Sequence, residues 1–149
     1  MATTVGKEDS LAKRLNHLIE LDYDAIAAYE AAIDRIDDAP SKERLAEFMG
    51  DHQRHTENLG EHLRGMGEEV PTKGNAKSML TKGKVVLADL MGDKAILQAM
   101  KTNEDDTNTA YEHAMEHDDM SADLKQAVQG NLEDERRHRT WIEQRIGEL

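Results

Sequence analysis

Apolar residues recur at steps of three and four along four segments of the chain, and this spacing places them on one face of an α-helix. The four predicted helices span about residues 10–37, 41–66, 93–118 and 121–148. Each helix has one apolar face that must be covered, and no segment alternates as a strand would. We therefore expect an all-α fold, a four-helix bundle that forms a single domain over residues 1–149.

Residues that favour helix ends mark the predicted boundaries. Ser10, Ser41 and Ser121 each precede a helical pattern, and serine is a favoured N-cap. Pro40 interrupts the pattern between the first two helices, and Gly65 lies where the second one ends. The connections after the first and third helices are short. Short connections join antiparallel neighbours, so we expect two helical hairpins.

The connection between the hairpins, about residues 67–92, has a different character. It contains Pro71 and several glycines, together with a short apolar stretch at residues 85–91 that predicts a short helix. Extended chain covers about twice the length per residue of a helix, so this segment can run back along the bundle. The second and third helices can therefore be parallel, as in bundles with one long crossover.

Composition and charge exclude several classes of function. The formal net charge is −12, so nucleic acid and anionic membrane surfaces are not expected partners. The absence of cysteine excludes disulfides, thiolate metal sites and a cysteine nucleophile. No stretch has the roughly 18 apolar residues of a membrane span, and the N-terminal residues lack the apolar core of a secretory signal. We expect a cytoplasmic protein.

The two predicted hairpins resemble each other. Residues 22–38 align without a gap with residues 104–120, and Tyr29 then matches Tyr111. With one extra residue in the second half, the next aligned polar pairs are Asp51 with Asp134, His52 with Glu135, and His55 with His138. Helical sequences often resemble one another in composition alone. The two halves also agree at polar residues that lie on otherwise apolar helix faces, and such agreement is much harder to obtain by chance.

Six ionisable residues lie where the helical periodicity predicts a core: Asp22, His52, His55, Glu104, Glu135 and His138. A buried charge must be paired or bound to metal, and carboxylates with imidazoles suit divalent iron, manganese and zinc. Glu135 and His138 are three residues apart on one helix and can reach the same ion. Two interpretations stay open, a metal centre or a buried polar network without metal.

Glu104 with Tyr111, and the run from Glu135 to His138, resemble motifs of the ferritin-like di-metal carboxylate proteins. The segment 91–97 is similar to an uncharacterised bacterial family of ferritin-like four-helix bundles. The resemblance implies a di-iron or di-manganese type site in the bundle, with the six residues as metal ligands. It also implies that Tyr29 and Tyr111 hydrogen-bond ligand carboxylates of neighbouring helices.

Two residues depart from the family pattern. Asp22 stands where the family has glutamate, so its reach is about one methylene shorter. His52 stands where the family has a second bridging glutamate, which leaves Glu135 as the one bridging carboxylate. Asp51, next to His52, points about 100° away on an ideal helix and is not substituted for it. An asymmetric pair of ions, a single ion and a weak second site all remain open.

The resemblance implies an oxidoreductase whose metal centre reacts with oxygen or peroxide, and no catalytic residue is assigned beyond the ligands. The alternatives are a non-enzymatic metal-binding or stress-related bundle, and a structural bundle with a metal-free core. Iron is the first candidate ion, followed by manganese and zinc, with one or two ions bound. Without cysteines for an attached rubredoxin-type module, a redox reaction would need an external electron donor. Hairpins of this kind often form homodimers, and the oligomeric state stays open.

Overall fold

The computed structural model describes residues 10–74 and 92–149, and these residues form four α-helices without a β-strand. The helices are α1 (Leu11–Arg35), α2 (Ala39–Gly65), α3 (Asp93–Met115) and α4 (Ala122–Glu148). The predicted all-α architecture of two helical hairpins is confirmed. The short helix predicted at residues 85–91 lies outside the described residues. The assignment of residues 1–149 to one domain stays a prediction.

Two of the three predicted serine caps are found. The hydroxyl groups of Ser10 and Ser121 accept backbone N–H groups in the first turns of α1 and α4. The prediction for Ser41 is wrong, because α2 begins two residues earlier and the side chain of Asp38 caps it. Pro40 fits the first turn, where its missing N–H has no helical partner to lose. The Asp38 carboxylate accepts both the backbone N–H and the hydroxyl of Ser41.

Each helix packs against two others: α1 contacts α2 and α3, and α4 contacts the same two helices. Contacts between α1 and α3 join Tyr29 to Glu104 and Tyr111 to Asp22, so these two helices are antiparallel. Because α1 and α2 are also antiparallel neighbours in a hairpin, α2 and α3 run in the same direction. This is the arrangement that the long connection permits.

One end of the bundle is closed by contacts to the turn between α1 and α2. The carboxylate of Asp93, at the start of α3, accepts the backbone N–H groups of Asp37 and Asp38 at 2.8 Å each. Arg145, near the end of α4, donates to the Asp38 carboxylate at 2.7 Å and to the Ser41 hydroxyl at 3.2 Å. These contacts fix the two hairpins relative to each other.

The buried apolar side chains form two separate clusters along the bundle. One contains Leu15, Leu18, Leu59, Leu63, Val128 and Leu132 among others. The second contains Tyr29, Phe48, Leu45, Leu97, Met100 and Ile142 among others. The six ionisable residues predicted for the core lie between the two clusters. Among the described helices, none combines the length and apolar character that a membrane span requires.

Candidate metal centre

The structure brings all six predicted core residues together at one level of the bundle. Helix α1 contributes one of them, α2 two, α3 one and α4 two, and each residue is at most 1% exposed to solvent. They are Asp22, His52, His55, Glu104, Glu135 and His138. The helical periodicity had placed each of these residues on an inward face, which is why the sequence could identify them.

The six residues form two overlapping groups of four. The Asp22 half-site consists of Asp22, His55, His52 and Glu135. The Glu104 half-site consists of Glu104, His138, His52 and Glu135. Within each half-site, one nitrogen or carboxylate oxygen from every residue lies within 4.8 Å of those from the others. His52 and Glu135 belong to both half-sites and lie at the centre of the arrangement.

The two oxygens of Glu135 face different half-sites. Its Oε1 is 3.2 Å from His55 Nδ1 and 3.3 Å from His52 Nδ1, on the side of Asp22. Its Oε2 is 3.8 Å from His138 Nδ1, on the side of Glu104. This orientation suits a carboxylate that shares its oxygens between two ions.

Two aspartates fix the outer nitrogens of two histidines. The Nε2 of His55 donates to Asp134 at 2.9 Å, and the Nε2 of His138 donates to Asp51 at 2.8 Å. Each contact crosses between α2 and α4. The Nδ1 atoms of both rings are thereby turned toward the centre of the site. Asp51 thus belongs to neither half-site and hydrogen-bonds the ring of His138.

Arginines cover this pair of aspartates from the solvent side. Arg54 donates to Asp51 at 3.0 Å and also to Asp134, while Arg137 contacts Asp51 at 2.7 Å and Asp134 at 3.1 Å. The arginines are about half exposed, whereas the aspartates are mostly covered. The sequence interpretation did not assign these arginines a role. A sequence signal for them exists, because the spacing of Asp51, Arg54 and His55 recurs as Asp134, Arg137 and His138 in the second half.

The tyrosines hydrogen-bond the carboxylates of neighbouring helices, as the resemblance implied. Tyr29 on α1 donates its hydroxyl to Glu104 on α3, and Tyr111 on α3 donates to Asp22 on α1. Both tyrosines are at most 1% exposed. Each half-site thus has one carboxylate that is oriented by a buried phenol of the opposite helix. That these carboxylates bind metal stays a prediction.

Two further residues of α3 support the site and were not predicted. Thr107 lies 2.9 Å from Glu135 Oε2 and donates its hydroxyl toward this oxygen or toward Glu104. The side-chain amide of Asn108 donates to the backbone carbonyls of Glu104 and Glu135, at 2.7 and 3.0 Å. Thr107 lies on the inward face of α3. A polar residue at such a position indicates that its side chain has a hydrogen-bond partner in the core.

The buried carboxylates hold the three histidines in the protonated form. Burial alone lowers the pKa of His52, but the charge of Glu135 and hydrogen bonds with Asp22 and Glu104 outweigh it and raise this pKa to about 10. Burial alone also lowers the pKa values of His55 and His138. Hydrogen bonds with Asp134 and Asp51, respectively, help to raise these pKa values to about 11 and about 10.

The carboxylates respond in the opposite direction. Burial favours the neutral form of Asp22 and Glu104, yet close contacts with the protonated histidines lower both pKa values. Burial also opposes the ionisation of Asp134, but the contacts with His55 and Arg137 lower its pKa to about 2. Burial and the adjacent carboxylate of Glu104 raise the pKa of Tyr29, so its hydroxyl stays a donor.

The hydrogen bonding inside the site is incomplete. Among the described residues, Glu135 Oε1 and His138 Nδ1 are buried atoms without an aligned hydrogen bond, although opposite charges lie within 3.3 Å of each. Buried polar atoms in proteins are satisfied in the great majority of cases. Both atoms point into the half-sites, where a cation would provide the missing partner.

The surroundings of the two half-sites differ, although the helices repeat. Beside the Asp22 half-site, Asn58 and Asn131 form a reciprocal amide pair at 2.9 and 3.0 Å, and Asn131 approaches the Tyr111 hydroxyl at 3.5 Å. At the equivalent positions of the repeat stand Trp141 and Phe48, whose rings pack edge to face. Phe48 also stacks on His138 with ring centroids 4.2 Å apart. One half-site therefore borders a polar pair and the other borders an aromatic pair.

Comparison with known families finds one match. Residues 10–117 match the model of the family described as Domain of unknown function (DUF2383). This match covers more than half of the chain, which therefore belongs to that family. The matched residues include α1, α2 and α3, while Glu135 and His138 of α4 lie beyond them. No curated protein and no solved structure matches the chain.

Proposed function

We propose that the protein is a metal-binding bundle of the ferritin-like kind, whose core holds two divalent ions at a carboxylate–histidine centre. The observation that carries this proposal is the pair of overlapping four-residue groups, completely buried and sharing His52 and Glu135. Each group offers two carboxylates and two imidazoles. Iron and manganese are the ions we propose first, and the donor set also suits zinc.

The unsatisfied atoms favour a bound ion over a metal-free core. A structural network should satisfy its own polar atoms, because a buried donor or acceptor without a partner costs about 1–3 kcal/mol. Here Glu135 Oε1 and His138 Nδ1, at the centre of the site, are without aligned hydrogen bonds and have only ion-pair contacts at 3.2–3.3 Å. The outer nitrogens of His55 and His138 are held by aspartates, which is how proteins commonly orient histidine ligands.

A metal-free polar core is the second candidate. It is favoured by the pKa values of the three histidines, since three imidazolium ions can neutralise the carboxylates of Asp22, Glu104 and Glu135. In that case the site would fix the register of the helices without binding anything. The two candidates differ in a property that is simple to measure, the metal content of the purified chain.

We further propose that the loaded centre reacts with oxygen or peroxide. Bound iron or manganese would supply the redox change, while the chain supplies orientation and the exclusion of bulk water. Tyr29 and Tyr111 would keep their protons and hold one carboxylate of each half-site in place. Electrons for repeated turnover would come from an external donor. A non-enzymatic metal-binding protein would bind the same ions without consuming the oxidant.

Metal content is the first test. The chain is purified without an affinity tag, loaded anaerobically with ferrous iron, and analysed for bound iron by elemental analysis. We expect about two irons per chain, and loss of binding in Glu135→Ala and in the milder Glu135→Gln, because Glu135 serves both half-sites. Glu133→Ala, an exposed neighbour on α4, is the matched control and should bind normally.

The results separate the candidates. Unchanged iron content in the Glu135 variants would remove this residue from the site and contradict the proposed centre. No metal under any loading condition would favour the metal-free core. If iron binds, oxygen consumption by the loaded protein distinguishes a reactive centre from a non-enzymatic one. Helical circular dichroism of each variant confirms that the bundle is still folded.

A further inference from the structure

His52 differs from the other two histidines in how its ring nitrogens are used. His55 and His138 each give Nε2 to an aspartate outside the site, so only Nδ1 faces the centre. His52 has no such outer partner among the described residues. Its Nδ1 is 2.7 Å from Asp22 Oδ1, and its Nε2 is 3.2 Å from Glu104 Oε1.

The two nitrogens of His52 therefore face different half-sites. Nδ1 lies with Asp22, His55 and the Oε1 of Glu135, at 3.3 Å from the last of these. Nε2 contacts Glu104 Oε1, which is itself 3.3 Å from His138 Nδ1. Glu135 divides its two oxygens between the same half-sites. His52 and Glu135 thus form a matched pair, each with one ligand atom for either side.

With two divalent ions the site would be one negative charge short, because the nearby carboxylates of Asp51 and Asp134 are already balanced by Arg54 and Arg137. Two divalent ions bring four positive charges, whereas Asp22, Glu104 and Glu135 bring three negative ones. Neutral imidazoles leave one positive charge in a site that is at most 1% exposed. An uncompensated buried charge is costly. An imidazole that loses both ring protons carries a single negative charge and removes this excess.

We propose that His52 binds both ions, one through each ring nitrogen, as an imidazolate bridge. This inference rests on the proposed two-ion centre and explains how histidine can stand where a bridging carboxylate is expected. Relative to the imidazolium form, both ring protons leave to solvent, and each N–H bond is replaced by a bond to one ion. Bound cations make such ligands more acidic, as they do water and thiols.

The packing around His52 supports one fixed ring orientation. The ring lies between Tyr29, at a centroid distance of 5.3 Å, and the rings of His138 and His55, at 5.2 and 5.5 Å. The residue is completely buried. A ring held from several sides keeps one nitrogen toward each half-site, which a freely turning imidazole would not do.

Cupric ion is the probe for the bridge, because two unpaired electrons couple through an imidazolate and their paramagnetic resonance signal is lost. The full-length chain is titrated with cupric ion, and bound copper and signal intensity are measured together. In the wild type we expect the signal to grow with the first ion and to fall as the second ion binds.

Three variants locate the effect. His52→Gln removes the bridge from both half-sites, so the second ion should bind at least about tenfold more weakly. Any two ions that do bind should lose less signal than in the wild type, because only Glu135 can still couple them. His55→Gln removes a ligand from the Asp22 half-site alone and should leave one ion with its full signal. His52→Glu supplies a carboxylate with the same charge and should restore two ions, with a different coupling.

The outcomes distinguish this inference from the proposed function. Two ions with additive signals in the wild type would overturn the bridge and leave the metal centre standing. Loss of signal that persists unchanged in His52→Gln would also overturn it, since Glu135 alone would then carry the coupling. If neither the wild type nor His52→Glu binds two ions of any tested metal, both the proposed function and the bridge fail.

Discussion

Binding of metal to the core should release protons, and the number of protons follows from the ring nitrogens. At pH 7 the three histidines are protonated in the metal-free protein, with pKa values of about 10, 11 and 10 for His52, His55 and His138. An ion needs the lone pair of Nδ1 on His55 and on His138, while their Nε2 protons stay with Asp134 and Asp51. Each of these two rings releases one proton. His52 releases one as a simple ligand and two as a bridge.

The expected total is therefore about four protons per chain that binds two ions, or about three without the bridge. One pKa unit corresponds to about 1.4 kcal/mol, so removing the first ring proton of each histidine at pH 7 costs on the order of 4–5 kcal/mol. The second ring proton of His52 costs more, because a neutral imidazole is a much weaker acid than an imidazolium ion. This cost is comparable to a large part of a metal-binding free energy. The apparent binding constant for metal should accordingly rise steeply with pH. For each proton that binding releases, it should increase about tenfold per pH unit.

Proton release is measured by isothermal titration with zinc in two buffers of different ionisation enthalpy at the same pH. The His62→Gln variant, outside the site on α2, is the control and should release the same number of protons. His55→Gln should release fewer. A count near zero for the wild type, or an affinity that does not change between pH 6 and pH 8, would refute the reasoning, because the imidazoles would then not exchange protons for metal.

The same pKa values predict how the metal-free protein responds to pH. The histidine pKa values are raised above the unfolded value of about 6.5, so their contribution to stability is complete below that pH. It is lost as the pH rises through about 10–11. The melting temperature of the metal-free form should therefore fall between pH 7 and pH 10, and bound metal should reverse this fall. A melting temperature that rises over this range would contradict the assigned protonation states.

Substitutions of three aspartates test the supporting contacts. Asp51→Asn should weaken the ion of the Glu104 half-site about 10–100-fold, because the ring of His138 loses its anchor, whereas Asp134→Asn should affect the Asp22 half-site through His55. Equal weakening of both ions in either variant, measured by competition with a chelator, would contradict the division into half-sites. Asp93→Ala removes two hydrogen bonds to the turn before α2 and should lower the free energy of unfolding by about 1–2 kcal/mol in urea. Asp123→Ala, in the first turn of α4, should change it by less, and an equal loss would show that Asp93 acts only on its own helix.

The sequence by itself determined which residues enter the core of this protein. A helix has a fixed period, so an ionisable residue in step with apolar neighbours must point inward once the helix packs. That rule identified Asp22, His52, His55, Glu104, Glu135 and His138 without any coordinates. It also predicted the all-α bundle and the inward direction of Tyr29 and Tyr111, because these depend on periodicity within each helix.

The tertiary structure decided how these residues face one another. Asp51 and Asp134 lie next to the inward stripe, and only the packing of α2 against α4 brings them to the outer nitrogens of His138 and His55. The sequence pattern also could not decide which of two nearby polar residues caps α2. Asp38 and Ser41 are both suitable N-caps, and the structure shows that Asp38 takes this position.

The orientation of His52 has the same origin. Helical spacing placed its side chain in the core, but it could not say that one ring nitrogen faces Asp22 and the other faces Glu104. The direction of a ring depends on the groups that surround it, and those groups come from three other helices. Periodicity therefore determines which side chains are buried, and packing between helices determines what their atoms contact.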